Sequence, residues 1–121
     1  METLQEQQTT KRIIQRALRF QISMAIRYRI LGEKIWREGR VENISMTGLL
    51  FSGTDVIESG TSIDIRLVLP GRRLGSLGGT IVSKGKVTRS LAARDTVRRA
   101  LVAAALINPR LLRLREPIEQ Q

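Results

Sequence analysis

The residues best suited to chemistry in this chain are neither acids nor nucleophiles. They are a short polar run, Asn43-Ile44-Ser45-Met46-Thr47-Gly48, and a surplus of arginine. Asn and Ser hydrogen-bond to nearby backbone groups, and glycine reaches backbone conformations that other residues avoid. A turn of this kind can aim backbone N–H groups and small polar side chains at one ligand, although the same spacing also serves a plain turn. Seventeen of the 21 basic residues are Arg, and the formal charge is +10. The planar guanidinium suits bidentate contact with phosphate and with the acceptor edge of guanine, so an anionic partner is expected. Charge serving solubility alone would run more to Lys and to a smaller imbalance.

Catalysis has little to work with. His and Cys are both absent, which removes the commonest general base, the thiol nucleophile and the usual transition-metal ligands. The eleven acidic residues are scattered, with no spacing that suggests a carboxylate dyad or a hard-metal cage. The expectation is a protein without catalytic residues, metal or cofactor. At 121 residues the chain is one domain's worth of sequence, and 41% hydrophobic residues are ordinary for a globular protein. No apolar stretch approaches the roughly 18 to 20 residues of a membrane span. Met1 to Thr10 holds no apolar core of a secretion signal, so a cytoplasmic location is expected.

Residues 1–19 are polar, then basic at Lys11, Arg12, Arg16 and Arg19, and are read as a flexible arm with at most a helical turn over Lys11 to Leu18. Period-two alternation follows. Phe20, Ile22, Met24, Ile26, Tyr28 and Ile30 fall on one face of an expected strand. A second strand is expected from Ile35 or Trp36 to Ser45 with a bulge or bend at Gly39, then a short one at Leu49 to Ser52. Alternation resumes at Ile63, Ile65, Leu67 and Leu69, with Asp64 and Arg66 outward, and Pro70-Gly71 ends it in a turn. A glycine-rich loop over 71–79 leads to a strand from Thr80 to Ser90, bulged at Gly85. Ala100 to Ile107 reads as either a buried strand or a helix, with its alanines favouring helix, and Asn108-Pro109 should stop it. A short basic helix over Arg110 to Arg115 can follow. Trp36 is read as core or barrel cap, and Arg27, Arg29, Arg37 and Arg40 as a solvated strand face. Many short strands punctuated by glycine argue for an all-β fold, and closure into a small antiparallel barrel removes exposed edges. The expected organisation is an arm over 1–19, a barrel over 20–108 and a basic tail or short helix over 109–121.

The ordered set "RFQISMAIRYRI", "GRVENISMTGLLFS", "SIDIRLVLP" and "GTIVSKGKVTRS", preceded by the Arg-rich arm, resembles the bacterial PilZ domain family. That family pairs Arg-x-x-x-Arg on an N-terminal arm with Asp/Asn-x-Ser-x-x-Gly on the barrel. The resemblance covers roughly residues 12 to 107. It implies a six-stranded antiparallel barrel that binds cyclic di-GMP, changes conformation and signals to a downstream protein, with a homodimer among the assemblies it allows. Carried onto this chain, it implies that arm arginines among Arg12, Arg16 and Arg19 hold phosphate and guanine. Arg12 and Arg16 satisfy the motif literally, whereas counting back from Arg19 puts Gln15 at the first Arg position. Asn43, Ser45 and Gly48 would form the barrel side, and Arg40 lies near enough to Asn43 in sequence to help with a phosphate.

Two other readings compete. A small barrel binding nucleic acid suits the net charge, but 3% aromatic residues leave little material for stacking platforms. A PilZ adaptor that binds no nucleotide would work through protein contacts alone.

Overall fold

A computed structural model describes residues 4–19, 24–69, 79–92 and 99–113. One helix, α1 (Leu4–Arg19), precedes six strands: β1 (Ala25–Ile30), β2 (Arg37–Ile44), β3 (Gly48–Gly53), β4 (Ser62–Leu69), β5 (Gly79–Ala92) and β6 (Ala100–Arg113). Every neighbouring pair is antiparallel, and the order β1-β2-β3-β6-β5-β4 closes into a barrel. The expected all-β six-stranded barrel is the observed one.

Alternation fills the barrel's interior. Met24, Ile26 and Tyr28, then Leu49 and Phe51, Ile63, Ile65 and Leu67, and Val102, Ala104 and Leu106 are all buried in one cluster. The rings of Tyr28 and Phe51 meet at 4.8 Å between centroids with their planes tilted by 52°. The Tyr28 hydroxyl is buried without a hydrogen-bond partner among the described residues. An unsatisfied buried hydroxyl costs more than it returns. Tyr28→Phe is therefore expected to hold or raise stability by up to about 1 kcal/mol. Urea denaturation checks this, and a loss of stability would mean that the hydroxyl has a partner in solution.

Residues 4–19 are a packed helix rather than a flexible arm. Thr10, Ile13 and Ile14 lie at i, i+3 and i+4 on one stripe and are buried against β6 and, more lightly, β2. A helix of this length is marginal alone, so its docked stripe is what holds it. The polar composition conceals that stripe because so few residues carry it.

The alanine-rich segment is strand β6, and it runs past the expected barrel end at residue 108. Closure decides this: β6 pairs with β3 on one side and β5 on the other, satisfying backbone groups that a helix would leave as open edges. Asn108-Pro109 does not end it. Two β6 residues lie against the single Ser83 between the pairs Val82↔Arg110 and Lys84↔Ile107. Asn108 takes a left-handed φ of 54° in this bulge, where a proline without N–H is tolerated. Arg110 to Arg113 continue the strand instead of forming a helix.

Bulges elsewhere also differ from expectation. β2 shifts register between Val41 and Asn43, leaving Glu42 as the extra residue, and β5 shifts between Val87 and Arg89. Gly39 stays in register opposite Ile26, and its missing side chain is required because a Cβ would collide with the Ser52 carbonyl oxygen. Gly85 likewise pairs regularly, with Leu106 and Ile63. The expectations for Phe20 and Ile22, for the Pro70-Gly71 turn, for the loop carrying Arg72 and Arg73, and for residues 114–121 lie outside the described residues.

Candidate functional site

The turn singled out by its residue types joins β2 to β3 on the outside of the barrel. Its backbone closes through the Ser45 N–H, which donates to the Gly48 carbonyl at 2.8 Å. The Ser45 hydroxyl oxygen accepts from the N–H groups of Gly48 (3.1 Å) and Thr47 (3.3 Å). Asn43 Oδ1 accepts from the N–H of Ile44 at 2.9 Å. The N–H of Leu106 donates to the Thr47 carbonyl at 3.0 Å and ties the turn to β6.

These bonds hold the turn in one shape and set which groups it can offer. Asn43 keeps its Nδ2 hydrogens as donors, while the Ser45 hydroxyl lies 3.4 Å from that of Thr47, where either can donate to the other. Asn43 Nδ2 can meet an acceptor such as a phosphate oxygen or the O6/N7 edge of guanine. The Glu42 bulge sets this aim. Ahead of it the odd-numbered β2 positions are the more buried; after it Ile44 turns inward and Asn43 is exposed.

Asn43, Ser45, Thr47 and Gly48 line a groove of about 400 Å³. The rest of its wall includes Leu50 of β3, Ala103 and Ala105 of β6, and Thr88 of β5. Sequence reasoning did not find these wall residues. Small side chains on the outward positions of β6 are the available signal, and they are readable only once the segment is known to be a strand.

Gly48 is not demanded by the fold. A Cβ there would stand 3.9 Å from both the Ala104 carbonyl oxygen and the Ser45 hydroxyl, ordinary contact distances. Room is therefore left on the groove side.

The arginines are distributed differently. Arg40 is exposed on β2 and is not among the groove's lining residues. Arg12, Arg16 and Arg19 occupy one stripe of α1 at four- and three-residue intervals, roughly opposite the Thr10, Ile13 and Ile14 stripe. Arg12 is exposed; the side chains of Arg16 and Arg19 lie outside the described ones. Arg27 is exposed, whereas Arg29 and Arg37 are half-buried and paired. Arg29 binds Asp64 at 3.1 Å, and Arg37 binds Glu33 at 3.1 Å and Asp55 at 3.6 Å. Trp36, expected in the core or capping the barrel, instead lies half-buried on the outside against the guanidiniums of Arg29 and Arg66. No group of three or more acidic side chains that could hold a metal occurs among the described residues, and no described helix is long and apolar enough to cross a membrane.

A small closed barrel that carries its polar motif on an exterior turn has the architecture of a binding module, with its site added to the outside of the fold. A scan against protein-family models matches residues 8–102 to the PilZ domain. No curated protein and no solved structure matches the chain. The chain belongs to the PilZ domain family, whose members are receptor or adaptor modules associated with cyclic di-GMP.

Proposed function

We propose that this barrel is a non-catalytic, cytoplasmic receptor for cyclic di-GMP that passes the signal to a partner protein. The observation that supports this reading best is the convergence of Asn43, Ser45 and Gly48 on one exterior groove, with Asn43 Nδ2 left as a donor. Cyclic di-GMP carries two phosphates and two guanines, all rich in acceptors. Asn43 Nδ2 and the Ser45 hydroxyl would meet one acceptor edge, Ala103 and Ala105 would give a low apolar floor, and Gly48 would allow close approach. Arg16 and Arg19, with Arg12 in reserve and Arg40 as a further phosphate contact, would supply cations. Arg12 stands on the face of α1 turned away from the barrel, so its engagement requires the helix to shift relative to the barrel. That shift is the switch: the ligand's preference for the shifted state changes the surface offered to a partner.

Gly48→Ala separates this reading from a plain turn. Because a methyl group fits within the protein, stability should stay within about 0.5 kcal/mol of the parent. The same methyl group faces the groove and should weaken cyclic di-GMP at least about tenfold, or 1.4 kcal/mol. Isothermal calorimetry, with GTP and a random oligonucleotide as controls, reads the affinity. Unchanged affinity in the variant would place any nucleotide elsewhere. Salt-sensitive binding of the oligonucleotide alone would favour the nucleic-acid reading.

A further inference from the structure

The outer face of β4, β5 and β6 carries a second groove, of about 710 Å³, with Arg29, Trp36, Arg66, Val82, Lys84 and Arg110 in its lining. It shares no residue with the groove at the β2–β3 turn. Strand register arranges it in rows. Arg66 stands opposite Val82, which stands opposite Arg110. In the row on one side Asp64 faces Lys84 and Lys84 faces Ile107; on the other, Val68 faces Thr80 and Thr80 faces Leu112. With strands about 4.8 Å apart, the Arg66 and Arg110 backbones stand about 10 Å apart across an apolar floor.

The charges in this groove are unevenly matched. Asp64 is shared by Lys84 and Arg29. The hydrogen bond from Lys84 holds its carboxyl below the ordinary value despite the opposing effect of burial. The Trp36 ring lies 4.5 Å from the Arg29 guanidinium and 4.8 Å from that of Arg66, steadying both. Arg66 and Arg110 are exposed and have no carboxylate partner among the described residues. Beside them Ile107 and Leu112 expose 48% and 44% of their surface. Two uncompensated guanidiniums flanking exposed aliphatic surface call for an occupant that is both anionic and aliphatic. A nucleic acid fits this less well, because the one Trp already contacts two guanidiniums and no other exposed aromatic ring occurs among the described residues.

We propose that this groove docks an extended acidic segment of a partner protein. Its carboxylates meet Arg66 and Arg110, and an aliphatic side chain between them rests on Val82. Arginine and tryptophan at the centre of a contact are the residues that most often carry binding energy, and opposite charge speeds the encounter. The proposal holds whether or not the other groove takes cyclic di-GMP.

Fluorescence anisotropy of the full chain with a fluorescein-labelled peptide of alternating glutamate and leucine, run without nucleotide, tests it. Saturable binding that weakens at least about tenfold in the Arg66→Glu/Arg110→Glu variant is expected. Thermal midpoint and the cyclic di-GMP titration should be unchanged in that variant, because neither residue lines the other groove. Should the double variant lose its folding transition, Arg110→Ala alone, at an exposed position, should still weaken the peptide about threefold. Equal binding by parent and variant would overturn the proposal, as would no binding to either. Displacement of the peptide by a single-stranded oligonucleotide at lower concentration would reassign the face to nucleic acid. Self-association in sedimentation that the charge reversal abolishes would reassign it to a second copy of this chain.

Discussion

Replacing Arg16 and Arg19 together by alanine should weaken cyclic di-GMP by at least about a hundredfold while moving the thermal midpoint by no more than about 2 °C. The size follows from contact type. Charge-assisted hydrogen bonds contribute about 1.5 to 3 kcal/mol each, so two of them amount to about two to four powers of ten in affinity. The insensitivity of stability follows from placement. α1 is held by Thr10, Ile13 and Ile14, and positions 16 and 19 share a stripe with exposed Arg12, roughly opposite the docked one. Alanine is also the strongest helix former, so the helix itself loses nothing. Calorimetry and thermal circular dichroism on the same preparations read both quantities. A collapse of the midpoint would make these arginines structural, and undiminished affinity would remove them from the site.

Phe51→Ala should do the reverse, lowering stability by about 3 to 5 kcal/mol. Phe51 is fully buried, meets the tilted ring of Tyr28, and sits on β3 opposite Val41 of β2 and Val102 of β6. Its ring therefore occupies the barrel's centre, where rigid strands on several sides limit collapse into the space vacated. Domains of this size are stable by only about 5 to 15 kcal/mol, so the loss is a large share of the total. Urea denaturation should show a lower midpoint at unchanged slope. A loss below about 1 kcal/mol would mean that the barrel closes around the gap.

Much of this protein was legible in its residues. Alternation in Met24 to Ile30 and Ile63 to Leu67 follows from the strand's two-residue period, which needs no partner to be read. The Asn43 to Gly48 run announced a turn because its hydrogen bonds are local, spanning one to three residues.

Tertiary structure decided the rest, in each case because the governing contact is distant in sequence. Residues 100–113 became a strand against the helical preference of alanine because β3 and β5 both required a neighbour. Thr10, Ile13 and Ile14, at helical spacing, turned a polar arm into a docked helix only because β6 and β2 offer them a surface. The bulge that exposes Asn43 falls at Glu42 because cross-strand register, not the nearby glycine, sets where pairing slips. Trp36 found its place outside the barrel because β1 and β4 bring Arg29 and Arg66 beneath one ring. Local pattern thus determined which residues face inward and where the chain turns. Barrel closure, which satisfies backbone groups between strands far apart in sequence, determined how the ends fold and which outward residues stand together.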